Sequence, residues 1–374
     1  MRHRARTVLV LLLGLAPLGG LAIAGERAES TLEFEAALAD GAVIEVENLL
    51  GSIEVRALQD GRAVRIEAQV IAEAETLEAA RELAATVDLS ELPIDDGLKV
   101  SVGFPVEDET AFRLPKSELG GLFSKWVSPL INKSKIAVQY RGQTVEVGQA
   151  KGAAQLVVHL KIWIPFDVQS RFRQVVGSLT TAALRGEMSV EIVDGTMTCE
   201  QYYGSLHART GSGDVLVHSF DGERLDVQTS SGDVEVREIR AGQVRLRTSS
   251  GKIHGGTITG QTLEVETGSG GVSLADLETI SFTVNTDSGR VDLGTNLKQT
   301  REAAIESATG SVTLRVGRFA YFDLMAHTKA GSVKTKGLPI EVEQQDDGAS
   351  RLRHGSGGAD LIVRSGGGLI IRPL

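Results

Sequence analysis

Glycines recur at a nearly constant interval along the middle of this 374-residue chain, and this interval restricts the fold more than any other feature of the sequence. Five copies of a Thr-x-Ser-Gly motif, spaced 19 residues apart, end at Gly213, Gly232, Gly251, Gly270 and Gly289. Weaker copies at steps of 18 or 21 residues lie at Gly177, Gly195, Gly310 and Gly331. One repeat, called a rung below, is too short to enclose a core, so the rungs must stack on one another.

Apolar and polar residues alternate on both sides of each motif. Leu225 and Val227 precede the turn that ends at Gly232, and Val234 and Val236 follow it. Such alternation predicts a strand with one buried face. Each rung is therefore expected to contain two short strands, joined by a turn in which glycine adopts a backbone conformation that other residues avoid. The predicted fold is all-β: a β-solenoid or an elongated stacked two-sheet repeat.

The threonine that opens each motif has the same parity as the buried residues of the preceding strand. Thr229, for example, follows Leu225 and Val227 at alternate positions. We therefore expect these threonines to point inward and to hydrogen-bond from rung to rung, rather than to form an exposed flat array.

Residues 25–176 are expected to form an N-terminal β region that leads into the repeat region of residues 177–374. An Ala-, Glu- and Leu-rich stretch predicts one short helix at about 73–85. An apolar insertion interrupts the strands at about 105–135. The C-terminal residues 361–374 are predicted to be a last rung or a pairing strand, and the two regions together to form one continuous domain.

The first 24 residues are predicted to be a signal peptide. Three arginines precede an apolar run that begins at Val8, and the small residues Ala22 and Ala24 fit a cleavage site. A retained membrane anchor is the alternative, although Pro17 and neighbouring glycines weaken a membrane-spanning helix. The sequence therefore predicts an exported protein of the periplasm, the cell surface or the extracellular space.

Composition and motifs argue against several kinds of partner. The formal net charge of −10 argues against nucleic acid, because phosphate backbones are bound by clustered Lys and Arg. The sole cysteine, Cys199, excludes sites built on paired cysteines and is expected to be a small packing residue. Asp214 and Asp233 follow motif glycines as in calcium-binding repeats, but Lys252 takes that position in the next rung. We expect no metal and no cofactor.

The insertion contains the most individual feature of the chain, an apolar stripe at helical spacing. Its members are Leu119, Leu122, Phe123, Trp126, Val127, Leu130 and Ile131. One interpretation is that this apolar stripe caps an open end or edge of the stacked strands. The other is that it docks onto a membrane surface or a protein partner. The cap is the favoured interpretation.

The motifs taken together resemble one known family. An Asn-x-x-Gly-x-Ile-x-Val segment begins at Asn48, a strand ends at Ile164-Pro165, and tandem Thr-x-Ser-Gly rungs follow. These features are similar to those of the DUF4097 family of bacterial exported, adhesin-like proteins. The resemblance extends from about Leu32 to Leu369 and departs from the family pattern in the insertion. It implies a β-solenoid-like fold and an envelope or surface location.

The sequence favours a non-enzymatic exported cell-envelope protein that serves as a surface for adhesion or envelope structure, with an envelope protein or a glycan as its unidentified partner. A first alternative is a binding module that docks to a membrane or an envelope protein through the apolar stripe. A second is a polysaccharide-active enzyme built on a β-solenoid. The seven histidines form no His-x-His or His-x3-His pair and no Gly-x-Ser-x-Gly motif is present, so the sequence points to no catalytic residue.

Overall fold

The computed structural model describes residues 25–59, 61–114, 135–148, 152–344 and 349–374. These residues contain 24 strands and one helix. The chain divides into two compact units: unit 1 comprises residues 1–198 and unit 2 comprises residues 199–374. The predicted signal peptide and the apolar stripe lie outside the described residues. Among the residues that are described, no helix has the length and apolar character needed to cross a membrane.

Unit 1 contains ten strands and the helix. They are β1 (Glu26–Ala37), β2 (Val43–Leu58), β3 (Ala63–Ala74), α1 (Leu77–Ala85), β4 (Asp88–Ile94), β5 (Gly97–Gly103), β6 (Ala111–Arg113), β7 (Lys135–Tyr140), β8 (Gln143–Gly148), β9 (Ala154–Pro165) and β10 (Gln169–Asp194).

The first rung of unit 1 stacks on segments that are distant in sequence. β2 pairs in parallel with β10 on one side and with β9 on the other. Beyond β9 the pairing becomes antiparallel, because β3 runs against β9 and β1 runs against β3. Between β3 and β9, β5 also joins the stack, because it pairs in parallel with Val43–Glu47 of β2. The rung of Gly51 meets the rung of Gly177 directly.

The helix begins later than the sequence predicts. It runs from Leu77 to Ala85 instead of from about residue 73, because β3 continues to Ala74, which pairs with Glu26 of β1. Thr76 then caps the helix, and its hydroxyl accepts a hydrogen bond from the Ala79 amide at 3.2 Å. Composition alone predicted a longer helix because it does not reveal which residues a neighbouring strand holds.

Unit 2 contains the remaining strands, apart from the first two residues of β11. They are β11 (Met197–Ser212), β12 (Val215–Thr229), β13 (Val234–Thr248), β14 (Ile253–Thr267), β15 (Val272–Thr286), β16 (Val291–Thr295), β17 (Glu302–Ser307), β18 (Val312–Val316), β19 (Phe322–Thr328), β20 (Val333–Thr335), β21 (Glu341–Gln344), β22 (Ser350–His354), β23 (Ala359–Ser365) and β24 (Leu369–Pro373).

Successive rungs of unit 2 pair in parallel with a constant offset of one repeat. Val215 pairs with Val234, Val234 with Ile253, and Ile253 with Val272, so that each apolar position forms a column through the stack. These four side chains are at most 1% exposed. The prediction of an all-β, β-solenoid-like stack of rungs is confirmed.

The motif glycines are required for two reasons, of which the sequence predicted one. Gly177, Gly195 and Gly213 have the positive φ expected of the turn, at 134°, 145° and 150°, but Gly232, Gly251, Gly270 and Gly289 do not. A Cβ on any of these last four would overlap the carbonyl oxygen of the motif glycine one rung earlier. At these four positions, close approach of stacked backbones rather than turn conformation selects glycine.

The rungs of β12 and β13 turn at a second corner that is not predicted from the sequence. β12 and β13 run unbroken between motifs, and the paired register skips Ser219 and Glu238. These residues adopt left-handed conformations, with φ values of 60° and 53°. Residues other than glycine rarely occupy this region. Because Ser and Glu stand at this corner, no recurring glycine marks it in the sequence.

The last residues of the chain form an inserted rung instead of a terminal one. β23 pairs in parallel with both β17 and β19, and β24 pairs in parallel with both β18 and β20. The rung of Gly331 consequently does not stack on that of Gly310, because Gly367 and Gly368 lie between them. Of the two predictions for the C-terminal residues, the pairing strand is confirmed and the last rung is wrong.

Candidate functional site

The motif threonines hold the stacked glycines together. Thr248 is 5% exposed, and its hydroxyl accepts a hydrogen bond from the Gly251 amide at 3.0 Å while donating to the Gly232 carbonyl at 3.1 Å. Thr267 and Thr286 repeat this arrangement in the next two rungs. The inward orientation is confirmed.

The predicted hydrogen bonds from rung to rung are present, but most of them end on a backbone carbonyl. Thr210 donates to the Thr229 hydroxyl at 2.8 Å, whereas Thr248, Thr267 and Thr286 each donate to the carbonyl of the motif glycine one rung earlier. Because glycine lacks a side chain, its carbonyl lies within reach of the hydroxyl of the next rung. These threonines are structural residues and are unavailable to a ligand.

The aspartates that follow the motif glycines also serve the backbone. Asp214 Oδ1 accepts a hydrogen bond from the Asp233 amide at 2.8 Å, and Asp233 Oδ1 accepts one from the Lys252 amide at 2.7 Å. Within the described ranges, no group of three or more His, Cys, Asp and Glu residues is placed to hold a metal ion. The two carboxylates therefore link consecutive rungs.

A groove of about 720 Å³ follows the threonine corner of unit 2, and we call it the Thr-side groove. Its outward polar residues are Gln228, Arg247, Glu266, Asn285, Asp287 and Glu306. All of these except Asp287 form one row, in which each residue pairs in register with the next. Adjacent parallel strands place consecutive members about 4.8 Å apart. The groove thus presents donors and acceptors at a regular interval.

The arginine in this row, Arg247 of β13, is held by two carboxylates of the next rung, on β14. Arg247 Nη2 donates to Glu264 Oε1 at 2.7 Å, and Arg247 Nε lies 3.4 Å from Glu266 Oε2. Arg245 Nε donates to the other oxygen of Glu264 at 2.8 Å. The hydrogen bond from Arg247 lowers the pKa of the Glu264 carboxyl, and Arg245 adds to the effect. The guanidinium is therefore fixed in position while its neighbour Glu266 remains mostly exposed.

The candidate surface predicted from the sequence is a different part of the chain. All seven residues of the apolar stripe lie outside the described residues, so their role as cap or docking surface stays a prediction. Cys199 is buried within unit 2. The row of the Thr-side groove was missed, although its signal is present: the outward residues from Gln228 to Asn285 recur every 19 positions, in the same register as the glycines.

Comparison with known proteins identifies the fold family. The family model described as Toastrack DUF4097 matches residues 130–366, which is more than half of the chain. The match begins well after Leu32, so the rung of Gly51 falls outside it. None of the curated proteins is similar enough in sequence to match this chain.

Three solved structures are similar at low identity. A provisionally assigned cell adhesion protein from Clostridium sporogenes is 10% identical, with 92% of this chain and 100% of that chain covered and a TM-score of 0.21. A provisionally assigned adhesin from Bacteroides fragilis is 10% identical, with coverages of 92% and 97% and a TM-score of 0.33. A provisionally assigned lipid binding protein from Parabacteroides distasonis is 10% identical, with coverages of 91% and 96% and a TM-score of 0.39. The sequence match carries the assignment, and the chain belongs to the Toastrack DUF4097 family.

Proposed function

We propose that this chain is an exported, non-enzymatic protein of the bacterial cell envelope that binds envelope material along the Thr-side groove and so serves adhesion or envelope structure. The observation that carries the proposal is the row of exposed polar side chains in that groove, repeated once per rung. Family membership and the predicted signal peptide agree with an exported location. Docking through the apolar stripe remains a separate prediction.

The chemistry of the row suits a linear, hydroxyl-rich polymer. Arg247 supplies donors, Glu266 supplies acceptors, and the amide of Asn285 supplies both. A polymer lying along the stack meets a new polar side chain at every rung, about 4.8 Å further on. Many weak hydrogen bonds of this kind add up along an extended ligand. A polysaccharide of the envelope is therefore the ligand that we favour for this groove.

Glu266 in the groove and Glu264 beside it are better suited to binding than to acid catalysis. A general acid needs a pKa raised by apolar surroundings, as in glycoside hydrolysis. The side chain of Glu266 is 58% exposed and is ion-paired with Arg247. The pKa of Glu264 is lowered, because Arg247 and Arg245 hydrogen-bond to its ionised form. These carboxylates therefore act as hydrogen-bond acceptors in our proposal.

The test is binding of the purified chain, without residues 1–24, to insoluble peptidoglycan sacculi. We expect saturable binding that falls about tenfold in Arg247→Ala, because that side chain lines the groove and pairs with Glu266 beside it. Arg237→Ala is the matched control, since Arg237 is an exposed, ion-paired arginine of the same unit that does not line the groove. Equal binding by both variants, or no binding above an unrelated acidic protein, would contradict the proposal.

A further inference from the structure

A second groove follows the other corner of the rungs in unit 2, and we call it the Tyr203 groove. It has a volume of about 450 Å³. The polar and aromatic residues in its lining that matter here are Tyr203, Asp221, Glu238, Arg240, Thr259 and Glu278. The apolar side chains Phe220 and Ile239 are buried beneath it. The Tyr203 groove thus has a rigid floor and a polar wall.

The wall is a second in-register row. Asp221 pairs with Arg240, Arg240 with Thr259, and Thr259 with Glu278. Tyr203 stands at the head of this row, because the Gly204 carbonyl lies directly against Gly222, the residue after Asp221. One aromatic ring is thereby followed by alternating acceptor and donor side chains at intervals of about 4.8 Å.

The ring of Tyr203 takes little part in the packing of the core. The preceding residue, Tyr202, is 1% exposed, and its ring stacks on Phe220 with centroids 5.9 Å apart. Tyr203 itself is 49% exposed. A half-exposed tyrosine at the end of a polar groove offers an apolar face beside hydrogen-bonding groups, as small-molecule sites do.

Two carboxylates further along the Tyr203 groove are already oriented. Glu278 Oε1 accepts a hydrogen bond from Asn296 Nδ2 at 2.8 Å, which fixes its carboxylate. Glu238 Oε2 lies 3.8 Å from His218 Nε2. The lining contains more carboxylates than basic groups, so it repels anions. Carboxylates accept hydrogen bonds from hydroxyl groups, which makes a neutral, hydroxyl-rich ligand the best match.

We propose that the Tyr203 groove is a binding subsite for a neutral saccharide, with one sugar ring stacked on Tyr203 and its hydroxyls hydrogen-bonded to Asp221 and Arg240. The apolar C–H face of a pyranose covers the aromatic ring, while its equatorial hydroxyls reach the row. The inference rests on the proposed function, because it names the sugar chemistry that one corner of the surface recognises. It is independent of the Thr-side groove.

The experiment is calorimetric titration of the chain, without residues 1–24, with neutral chitotetraose, cellotetraose and maltotetraose, and with anionic tetragalacturonate. We expect at least one neutral tetrasaccharide to bind and tetragalacturonate to bind more weakly. Tyr203→Ala should raise the Kd about tenfold or more, because it removes the stacking face. Tyr203→Phe keeps that face and should bind within about threefold of the unaltered chain. Tyr321→Ala is the matched control, an exposed tyrosine of unit 2 outside the groove.

The outcomes separate this inference from the proposed function. If the Kd is unchanged in Tyr203→Ala, if tetragalacturonate binds best, or if none of the neutral tetrasaccharides binds, the saccharide subsite is wrong. Sacculus binding that still depends on Arg247 would then leave the proposed function standing. Conversely, binding of a neutral tetrasaccharide that depends on Tyr203 would support the subsite even if Arg247→Ala binds sacculi normally. Thermal unfolding of each variant checks that a loss of binding is not a loss of fold.

Discussion

Gly251 lies so close above Gly232 that a Cβ on Gly251 would overlap the Gly232 carbonyl oxygen. Thr248 bridges the same two residues, accepting from the Gly251 amide and donating to the Gly232 carbonyl. The motif that marks the repeat in the sequence is therefore the contact that joins one rung to the next. Its two recurring chemical properties, a missing side chain and a buried hydroxyl, act on the same pair of backbones.

Gly251→Ala should destabilise unit 2 strongly. The added methyl group meets backbone atoms that cannot move without displacing the rung below, and such overpacking costs about 3 kcal/mol. Gly256→Ala is the matched control, because a Cβ there has its closest neighbour, Arg237 Cα, at 3.7 Å. Urea denaturation monitored by circular dichroism gives both free energies of unfolding. Equal stability of the two variants would show that the glycine column is not closely packed.

Thr248→Val should cost about 2 kcal/mol, because it keeps the shape of the side chain but leaves the Gly251 amide and the Gly232 carbonyl without the hydroxyl between them. Thr248→Ser retains the hydroxyl and should lose less than about 1 kcal/mol. The measurement is the free energy of unfolding in urea at one temperature. A valine variant as stable as the serine variant would rule out a stabilising role for the hydroxyl.

Val363→Asp should loosen the end of unit 2. Val363 is fully buried on the inserted strand β23, between Ile305 of β17 and Ala326 of β19, so a carboxylate there is desolvated. Limited proteolysis should then cut between residues 317 and 344, while the earlier rungs stay protected. Arg364→Asp, the exposed neighbour on the same strand, is the control and should be cut at the rate of the unaltered chain. Cleavage spread evenly over unit 2 would contradict the insertion.

Glu264→Gln should reduce stability at neutral pH but not in acid. The pKa of Glu264 is lowered in the folded chain, chiefly by the Arg247 hydrogen bond. Its contribution is therefore complete above the unfolded value of about 4.3 and is lost as the pH falls through the lower folded value. Because the side chain is 37% exposed, screening limits the contribution to about 0.5 kcal/mol.

The check is the free energy of unfolding of the unaltered chain minus that of Glu264→Gln, measured from pH 2.5 to pH 7. This difference should be positive at neutral pH and vanish at the acid end. In 1 M salt the neutral-pH difference should shrink, since salt screens exposed ion pairs. A difference that grows in acid would mean that the sign of the linkage is wrong.

The period of the repeat, the buried parity of Val227 and Thr229 and the all-β class could all be predicted from the sequence. Each depends on residues close together in the chain, where alternation and turn chemistry act directly on the backbone. The corner at Ser219 and Glu238 could not, because nothing in those residue types indicates a left-handed conformation. The outward polar rows of the two grooves recur with the period of the repeat. They can be recognised in the sequence only when the pairing register between rungs is known.

The order of stacking was decided by the tertiary structure alone. Every rung offers a similar apolar face and a similar parallel edge, so the sequence determines that rungs stack without determining which rung lies on which. Pairing between distant segments settles this, placing β2 on β10 and inserting β23 between β17 and β19. The same long-range register brings Tyr203 beside Asp221 and Arg247 beside Glu266. The sequence therefore determined the repeating unit, and the tertiary structure decided which polar side chains face one ligand together.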